Sequence, residues 1–594
     1  MNLGTLGRED LRQVSRLHRH RTPGWERIRV PWFVSPQAVV PAAVGAVTLV
    51  LRLVYGANGP TDWDGVQYVV GSSRFDVTHG APHPPGYWLY VATGHAIHAV
   101  TGLGAASSLV LVAALASAAA AALTCAAGMA FGGWWVGLAA GALVASTPVS
   151  WFAGSTVSTY SFDALVAALL VLLAIRARPG SAHGLAAVVT LGLMTGFRPS
   201  IAPMFLLLAL VAVLGSTRGI RRWALTVAAL VGSVAVWFVP MVLAQPGGVT
   251  VWLRAWRAES SGAAHTSSVF FTSAGAATNV GTFGAYTLLT VGPVLVLALL
   301  AGLALLATRL VTRRATGDAA LRIWSEGTSP GVTGPGRPWY QTTTAVAIAA
   351  VVPPLAIVNL VQFAKGGYVL AYLPTVTILL LVPVARLIRH RIRALRRLSA
   401  VLASVVVLGV VGLNAQRFVG APGILPAGFA TSHPGWWISQ ARYGAPYTDT
   451  AATIRAADAA GVSVASIGSY VQPANDVVVT KWEENGLAYW RHITYALPHV
   501  RAALVIGSTV VYEELNGLLY YRHTATIEVA PDGHALFLLP RATPELLDLE
   551  RAGLAQATDL EVVGLRGWRV APGATLFGVT VSARAGPRSL GRGI

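Results

Sequence analysis

Apolar runs near the length that crosses a bilayer, roughly 20 residues, recur from residue 37 to residue 415 of this 594-residue chain. No water-soluble fold buries so many of them. Only 11% of the residues are charged, against about a quarter in soluble domains, and the mean hydropathy is +0.59. The net charge of +19 would suggest a nucleic-acid partner in a soluble protein. Here the arginines fall in short clusters between apolar runs, the pattern of cytoplasmic loops, so no nucleic acid is expected. Cys125 is the only cysteine, which leaves neither a disulfide framework nor a cysteine metal site. The basic tail of residues 1–35 and the long first run read as an anchor and not as a cleavable signal peptide.

The runs lie near 37–55, 86–100, 104–128, 133–150, 160–176, 184–198, 199–215, 223–243, 286–308, 341–362, 368–388 and 398–415. If all twelve crossed, four arginine clusters would fall on the outer side: Arg176/Arg178, Arg218/Arg221/Arg222, Arg309/Arg313/Arg314 and Arg386 to Arg397. Lys and Arg in short loops favour the inside. Dropping the short 86–100 run, which follows two prolines and contains His95 and His98, restores that bias. The expectation is an α-helical polytopic membrane module over 36–415 with eleven spans, residues 86–100 in the outer interface, the N-terminus inside and the C-terminus outside a bacterial cytoplasmic membrane. It would have a first outer loop at 56–103, a second long one at 244–285 and a Gly/Pro-rich cytoplasmic linker at 309–340.

Residues 416–585 change character. Runs such as VSVASIG, DVVVT, AALVIGS, LLYYRHTATIEVA, HALFLLP and LFGVTVSA read as strands and TDTAATIRAADAAG as helix. This predicts a small extracytoplasmic α/β domain, with a disordered tail at 586–594.

Residues 60–91 place Asp62, Asp64, Asp76, His79 and His83 beside the membrane, where titratable groups need partners or do chemistry. Pro60 suits an extended entry, and a helix can begin near Asp62 or Trp63 with Asp as N-cap. Gln67 and Tyr68 then share a face with Asp64, and Trp63, Val66 and Val70 form another, as in an interface-lying helix. The prolines after Ala81 rule out helix through His83, and Gly86 permits close backbone approach. A histidine held this way can donate to a phosphate or pair with a carboxylate. Further polar features on the same expected side are Tyr160, Arg198 in GFRPS, Glu259 with His265, and Lys365 and Tyr368 in AKGGYVLAYLP. Asp163, one turn into a span, reads equally as a satisfied polar group or as part of the cavity.

The stretch WDGVQYVVGSSRFDVTHGAPHPPGYWLYV resembles the first-loop signature of bacterial GT-C-type membrane glycosyltransferases of the protein O-mannosyltransferase-like and lipopolysaccharide-type families. These typically show W-D-S/G, then F/Y-D, then P-H-P-P-G-Y. The likeness covers about 30 residues closely and extends weakly through GFRPS, KGGYVLAYLP and the WR and YALP near 490–498. It implies a GT-C module, a sugar donor on polyprenyl phosphate and a first-loop aspartate as base, which falls on Asp64. Many of these proteins carry a glutamate where Thr159 precedes Tyr160, and an acid where Gln67 stands. Neither of those two carboxylates is present here, so the cofactor is left open: a divalent metal is compatible with the resemblance but not indicated by these residues.

Chemically, transfer needs a base for the acceptor hydroxyl and positive charge on the leaving phosphate. Asp64, with Asp62 beside it, would supply the first. His83, Arg198 and Lys365 would supply the second, with Gln67, Tyr68, His79, Tyr160, Glu259 and Tyr368 lining the donor site. The expected reaction is inverting transfer of a sugar, mannose by resemblance, to a hydroxyl of a protein, lipid or polysaccharide. Two other classes fit the composition: a transporter or flippase of lipid-linked sugars, and a non-catalytic membrane protein with a partner-binding outer domain.

Overall fold

The apolar runs fold as helices. The computed structural model describes residues 35–271, 275–316, 342–361, 366–390, 392–419, 454, 458, 461–485, 490–562 and 564–584. Among these, six helices are long and apolar enough to cross a membrane: Pro36–Val54, Ala105–Gly132, Ile220–Ala244, Val291–Thr308 within Gly275–Thr316, Thr343–Leu360, and Arg393–Gln416 within Arg393–Val419. Trp134–Ser146 and Pro148–Ser155, bent by 63° at Thr147, make a seventh if counted as one span. The chain is thus a multi-pass membrane protein by length and composition. The eleven-span expectation exceeds this number. Four of its segments fold as helices of only 15 or 16 residues, Ser161–Arg176, His183–Phe197, Ile201–Ser216 and Leu373–Ile388. Breakers cut them short: Pro199 follows the second, and a 3₁₀ segment at Gly366–Ala371 precedes the last. Trp88–Thr101 has 14 residues and at 1.5 Å each is about 21 Å long, less than the hydrocarbon thickness.

Two expected loops contain helix. Residues 244–285 hold the helix Gly248–Ser267, and Gly275–Thr316 begins well before the expected span. That long helix also runs into the proposed linker; residues 317–341 lie outside the described residues, as do the tail 1–34 and residues 585–594.

Ala105–Gly132 packs at the centre of the bundle, against Pro36–Val54, Trp134–Ser146 and Ser161–Arg176. Small residues let these helices approach: a Cβ on Gly137 would come within 2.5 Å of the Cys125 carbonyl oxygen. Such close contacts are how helices associate in lipid, where apolar burial alone gives little drive. Within this packing lies Arg52, fully buried near the end of the first helix. Its Nη2 donates to the Ala145 carbonyl at 2.6 Å and its Nε to Ser117 Oγ at 3.1 Å. The guanidinium carbon lies 5.0 Å from the Trp151 ring. Ala145 is at the C-terminal end of Trp134–Ser146, where free carbonyls carry partial negative charge. Arg52 therefore holds the bend of the broken pair.

The C-terminal region is an α/β domain. Its seven-stranded sheet has the order β4-β3-β2-β1-β6-β8-β7, and a three-stranded sheet has the order β5-β10-β9. The strands are β1 Val477–Lys481, β2 Arg501–Ile506, β3 Thr509–Leu515, β4 Leu518–Thr524, β5 Thr526–Val529, β6 Ala535–Leu539, β7 Ala555–Val562, β8 Leu565–Val570, β9 Thr575–Leu576 and β10 Val579–Ala583. Central β1 pairs parallel with β2 and β6, residue Val478 lying opposite both Ala502 and Leu536. It is buried along its whole length, hence the unbroken apolar run. Asn516 and Gly517, both at positive φ, turn β3 into β4, the favoured chemistry of a two-residue hairpin.

VSVASIG is not a strand. Residues 461–465 are helical and Ser466–Ser469 is a 3₁₀ turn. Val464, Ile467 and Val471 are buried at helical spacing, and this outweighs the alternation that suggested a strand. TDTAATIRAADAAG falls mostly outside the described residues; Ile454 and Asp458 within it are helical.

Candidate active site

The first-loop helix is Trp63–Ser73. Asp62 caps it, Oδ1 accepting from Gly65 N at 2.6 Å. This satisfies one of the free N–H groups of the first turn and commits one oxygen of a proposed catalytic carboxylate to structure. Asp64 follows in the first turn, half-buried. Gln67 and Tyr68 are buried. The opposite face does not lie on lipid as expected. Val66 is fully buried, Trp63 meets Tyr512 of β3 edge-on at 6.1 Å, and Val70 lies against the hairpin tip, where a Cβ on Gly517 would be 2.8 Å from its Cγ1. The C-terminal domain covers that face.

Residues 75–87 form an elbow against this helix. Asp76 caps the 3₁₀ turn Val77–His79. Its Oδ2 is 2.6 Å from His79 Nδ1, and its Oδ1 accepts from Thr78 Oγ1 at 2.6 Å and Gln245 Nε2 at 3.2 Å. Burial pushes the Asp76 carboxyl up, but hydrogen bonds from His79 and Thr78, with the charge of His79, outweigh this and bring it down to about 2. His79 is therefore a carboxylate partner. It is half-exposed, its ring 4.9 Å from that of Tyr520 in β4.

His83 does what the prolines suggested in a different way: it is fixed by Gln67. Gln67 Oε1 accepts from His83 N at 2.9 Å and also meets His83 Nδ1, while Nε2 is 3.2 Å from Tyr87 Oη. The peptide bonds before Pro82 and Pro85 are cis. Gly71 gives room for Pro82, whose Cδ would be 2.6 Å from a Cβ there, and Gly86, at φ 119°, sits among Met241, Phe75 and Val77. Trp252 of Gly248–Ser267 donates from Nε1 to the Pro85 carbonyl at 3.0 Å and closes the elbow from outside.

The second half of the site comes from the bundle. Arg198 ends the helix His183–Phe197 and is 3% exposed. Its Nε is 3.0 Å from Asp163 Oδ2, an ion pair by distance without a well-aligned N–H···O bond, and Nη1 donates to Thr159 Oγ1 at 2.7 Å. The guanidinium carbon lies 4.1 Å from the Tyr160 ring and 4.9 Å from that of Tyr368. Those rings meet edge-on at 5.1 Å. Gly367 makes this possible, since a Cβ there would be 2.4 Å from Tyr160 Cγ. Planar guanidinium between ring faces is a favourable cation–π arrangement.

The two halves meet at Tyr68 and Tyr87, whose rings are 5.0 Å apart. Burial raises the Tyr68 hydroxyl well above its ordinary range; Tyr87 and Asp64 add to this, and Arg198 opposes it. Burial also raises Tyr87, with Arg198 opposing and Tyr368 and Asp64 adding. An acid and a cation thus act on the same two phenols.

Of the proposed residues, Asp64, Gln67, Tyr68, His83, Tyr160, Arg198 and Tyr368 belong to this constellation. Asp62 and His79 flank it in capping and carboxylate-pairing roles. Glu259 is exposed on Gly248–Ser267 and acts on Tyr512 and Tyr521 of the C-terminal domain. Lys365 lies outside the described residues. No group of three His, Cys, Asp or Glu side chains able to hold a metal ion occurs among the described residues. Sequence reasoning did not find Asp163 as the partner of Arg198; an acid inside an apolar helix was the available signal. Nor did it find Gln245 or Arg491, whose contacts cross 169 and 411 positions.

Solved structures similar to the chain include two of one protein. ArnT from Cupriavidus metallidurans bound to undecaprenyl phosphate is 13% identical, with a TM-score of 0.46, over 89% of this chain and 97% of that one. The same protein in the apo state is 14% identical, with a TM-score of 0.42 and the same coverage. No family model and no curated protein matches the sequence.

Proposed function

We propose that the chain is an integral-membrane glycosyltransferase of the GT-C type, transferring a sugar from a polyprenyl-phosphate donor to an acceptor hydroxyl. The observation that supports this reading is geometric. The first-loop helix and elbow, tied by Gln67 to His83, meet the bundle through the Tyr68 and Tyr87 rings 5.0 Å apart, and on the bundle side Arg198 is held against Asp163 and the Tyr160 and Tyr368 rings. It joins the first-loop signature to the bundle at one point.

In the proposed reaction the acceptor oxygen attacks the anomeric carbon as the bond from that carbon to the phosphate oxygen breaks. The proton passes to Asp64, and polyprenyl phosphate leaves with its added negative charge. Direct displacement inverts the anomeric centre. Arg198 is the cation for the departing phosphate. Thr159, Asp163 and the two ring faces hold it in place, and a charge held by its own scaffold is effective in a transition state. In this reading His83 keeps Nδ1 on Gln67, and its Nε2 exchanges the Tyr87 hydroxyl for a phosphate oxygen, to which it donates. Mannose is the sugar favoured by the sequence resemblance; the acceptor is a hydroxyl of protein, lipid or polysaccharide.

The test is a transfer assay with membranes containing wild type or Asp64→Asn. Radiolabelled polyprenyl-phosphate mannose, glucose and arabinose are supplied, and label is followed into protein, lipid and polysaccharide fractions. Incorporation by the wild type alone supports the reading. Equal incorporation by an equally expressed variant removes Asp64 as base, and no transfer from any donor, together with no donor binding by the purified protein, removes the enzyme.

A further inference from the structure

The seam between the first loop and the C-terminal domain centres on one buried cation. Arg491, on the helix Trp490–Ala496, is 1% exposed. Its Nε and Nη2 reach the buried carboxylate of Glu514 in β3 at 3.2 and 3.0 Å. Nη2 also points to the Gly80 carbonyl at 3.5 Å, and the guanidinium carbon lies 5.2 Å from the Trp63 ring. Nη1 is buried with no hydrogen-bond partner among the described residues and would lie 3.4 Å from a Cβ on Gly80. Arg491 therefore touches the first-loop polypeptide twice. Trp63 begins the helix that carries Asp64; Gly80 lies in the elbow that carries His83.

Other contacts run along the same seam. His492 Nε2 is 3.0 Å from the Pro60 carbonyl, and the Asp458 carboxylate accepts from the backbone N of Asn58 at 3.0 Å and of Gly59 at 3.1 Å. The domain thus grips residues 58, 59, 60, 63, 70, 79 and 80 from one side. Only a planar fork can meet a carboxylate edge-on and an indole face together, so lysine is not equivalent here.

We propose that Arg491 is a positioning residue through which the C-terminal domain holds the Asp64 helix and the His83 elbow in register. The domain is then part of the transferase apparatus and not a separate partner-binding module. This rests on the transferase reading for its consequence in turnover, but not for the mechanical coupling itself.

The test uses the full chain in lipid nanodiscs, as wild type, Glu514→Gln, Arg491→Met made in the Glu514→Gln background so that no buried carboxylate is left uncompensated, and Arg491→Lys. There are two readouts, and the methionine variant is compared with Glu514→Gln. Hydrogen–deuterium exchange of peptides covering 58–87 is expected to quicken roughly tenfold in Arg491→Met, with the spans and the C-terminal strands unchanged. Sugar transfer from polyprenyl phosphate is expected to lose roughly tenfold to a hundredfold in kcat, with donor KM within about twofold, as for a small misplacement of catalytic groups. Arg491→Lys should fall between, and it serves if the methionine variant fails to fold. Unchanged exchange over 58–87, or quickening spread equally over the C-terminal sheet, overturns the coupling. Quickened exchange confined to the loop, in a protein whose wild type transfers no sugar, keeps the coupling and overturns the transferase reading.

Discussion

Arg198 Nη1 donates to Thr159 Oγ1 across 2.7 Å, so the threonine that stands where the resembled family often carries glutamate serves as an acceptor for the buried cation. The balancing carboxylate is Asp163 instead, one turn into the next helix. Removing one partner of a buried pair leaves the other uncompensated, which costs about 3–5 kcal/mol. Arg198→Met should therefore lower the melting temperature of the purified protein clearly. Adding Asp163→Asn should recover most of the stability and none of the turnover. Recovery of turnover in the double variant would show that Arg198 only neutralises Asp163.

Gln67→Leu should free the elbow. It removes the acceptor of both the backbone N and the ring Nδ1 of His83. Buried donors left unpaired cost roughly 1–3 kcal/mol. The expected signs are a lower melting temperature and faster proteolysis within 80–87, read by limited digestion and mass spectrometry.

Gly367→Ala places a methyl group where the Tyr160 ring now lies, 2.4 Å from its Cγ. Tyr160 must move and leaves the face of Arg198. We expect donor binding to weaken several-fold with the helices intact, measurable by titrating a fluorescent polyprenyl phosphate. Unaltered binding would exclude Tyr160 from the donor site.

Acid should loosen the elbow at Asp76. Its carboxyl is lowered in the fold to about 2 from an ordinary value near 3.8. A depressed acid contributes stability that is present above the ordinary value and lost as pH falls through the folded one. The window is therefore about pH 4 to pH 2, and the contribution is on the order of 2 kcal/mol. In melting curves against pH, Asp76→Asn should remove that part of the acid loss while lowering stability at neutral pH.

The sequence carried the first half of the site well, because it is local. Asp62 as cap, the shared face of Asp64, Gln67 and Tyr68, and the rigid turn through His83 all follow from spacing and from proline and glycine chemistry. What spacing could not carry was partnership at a distance. Trp63 and Val70 looked like a lipid-facing stripe because a domain surface and a membrane demand the same side chains. VSVASIG looked like a strand because its alternation over seven residues also contains the helical spacing of Val464 and Ile467. The eleven expected spans outnumber the six or seven helices that are long enough among the described residues, and the shorter apolar helices make up part of the difference; Pro199, which follows one of them, also puts Arg198 at the break.

Arg52 has a consequence for biogenesis. The groups that solvate it, Ser117, Ala145 and Ser150, lie 65, 93 and 98 residues further along the chain. When the first helix leaves the ribosome none of them yet exists. An arginine at the middle of an isolated helix would cost about 2.5–3.5 kcal/mol on insertion. Arg52 stands two residues from the helix end, so its side chain can reach the headgroups while it waits. The first helix thus enters lipid with its cation at the surface, and drawing it inward falls to the helices made later. Assembly of this bundle has a built-in order, in which the broken pair that ends at Ser155 completes the seat of the helix that went in first.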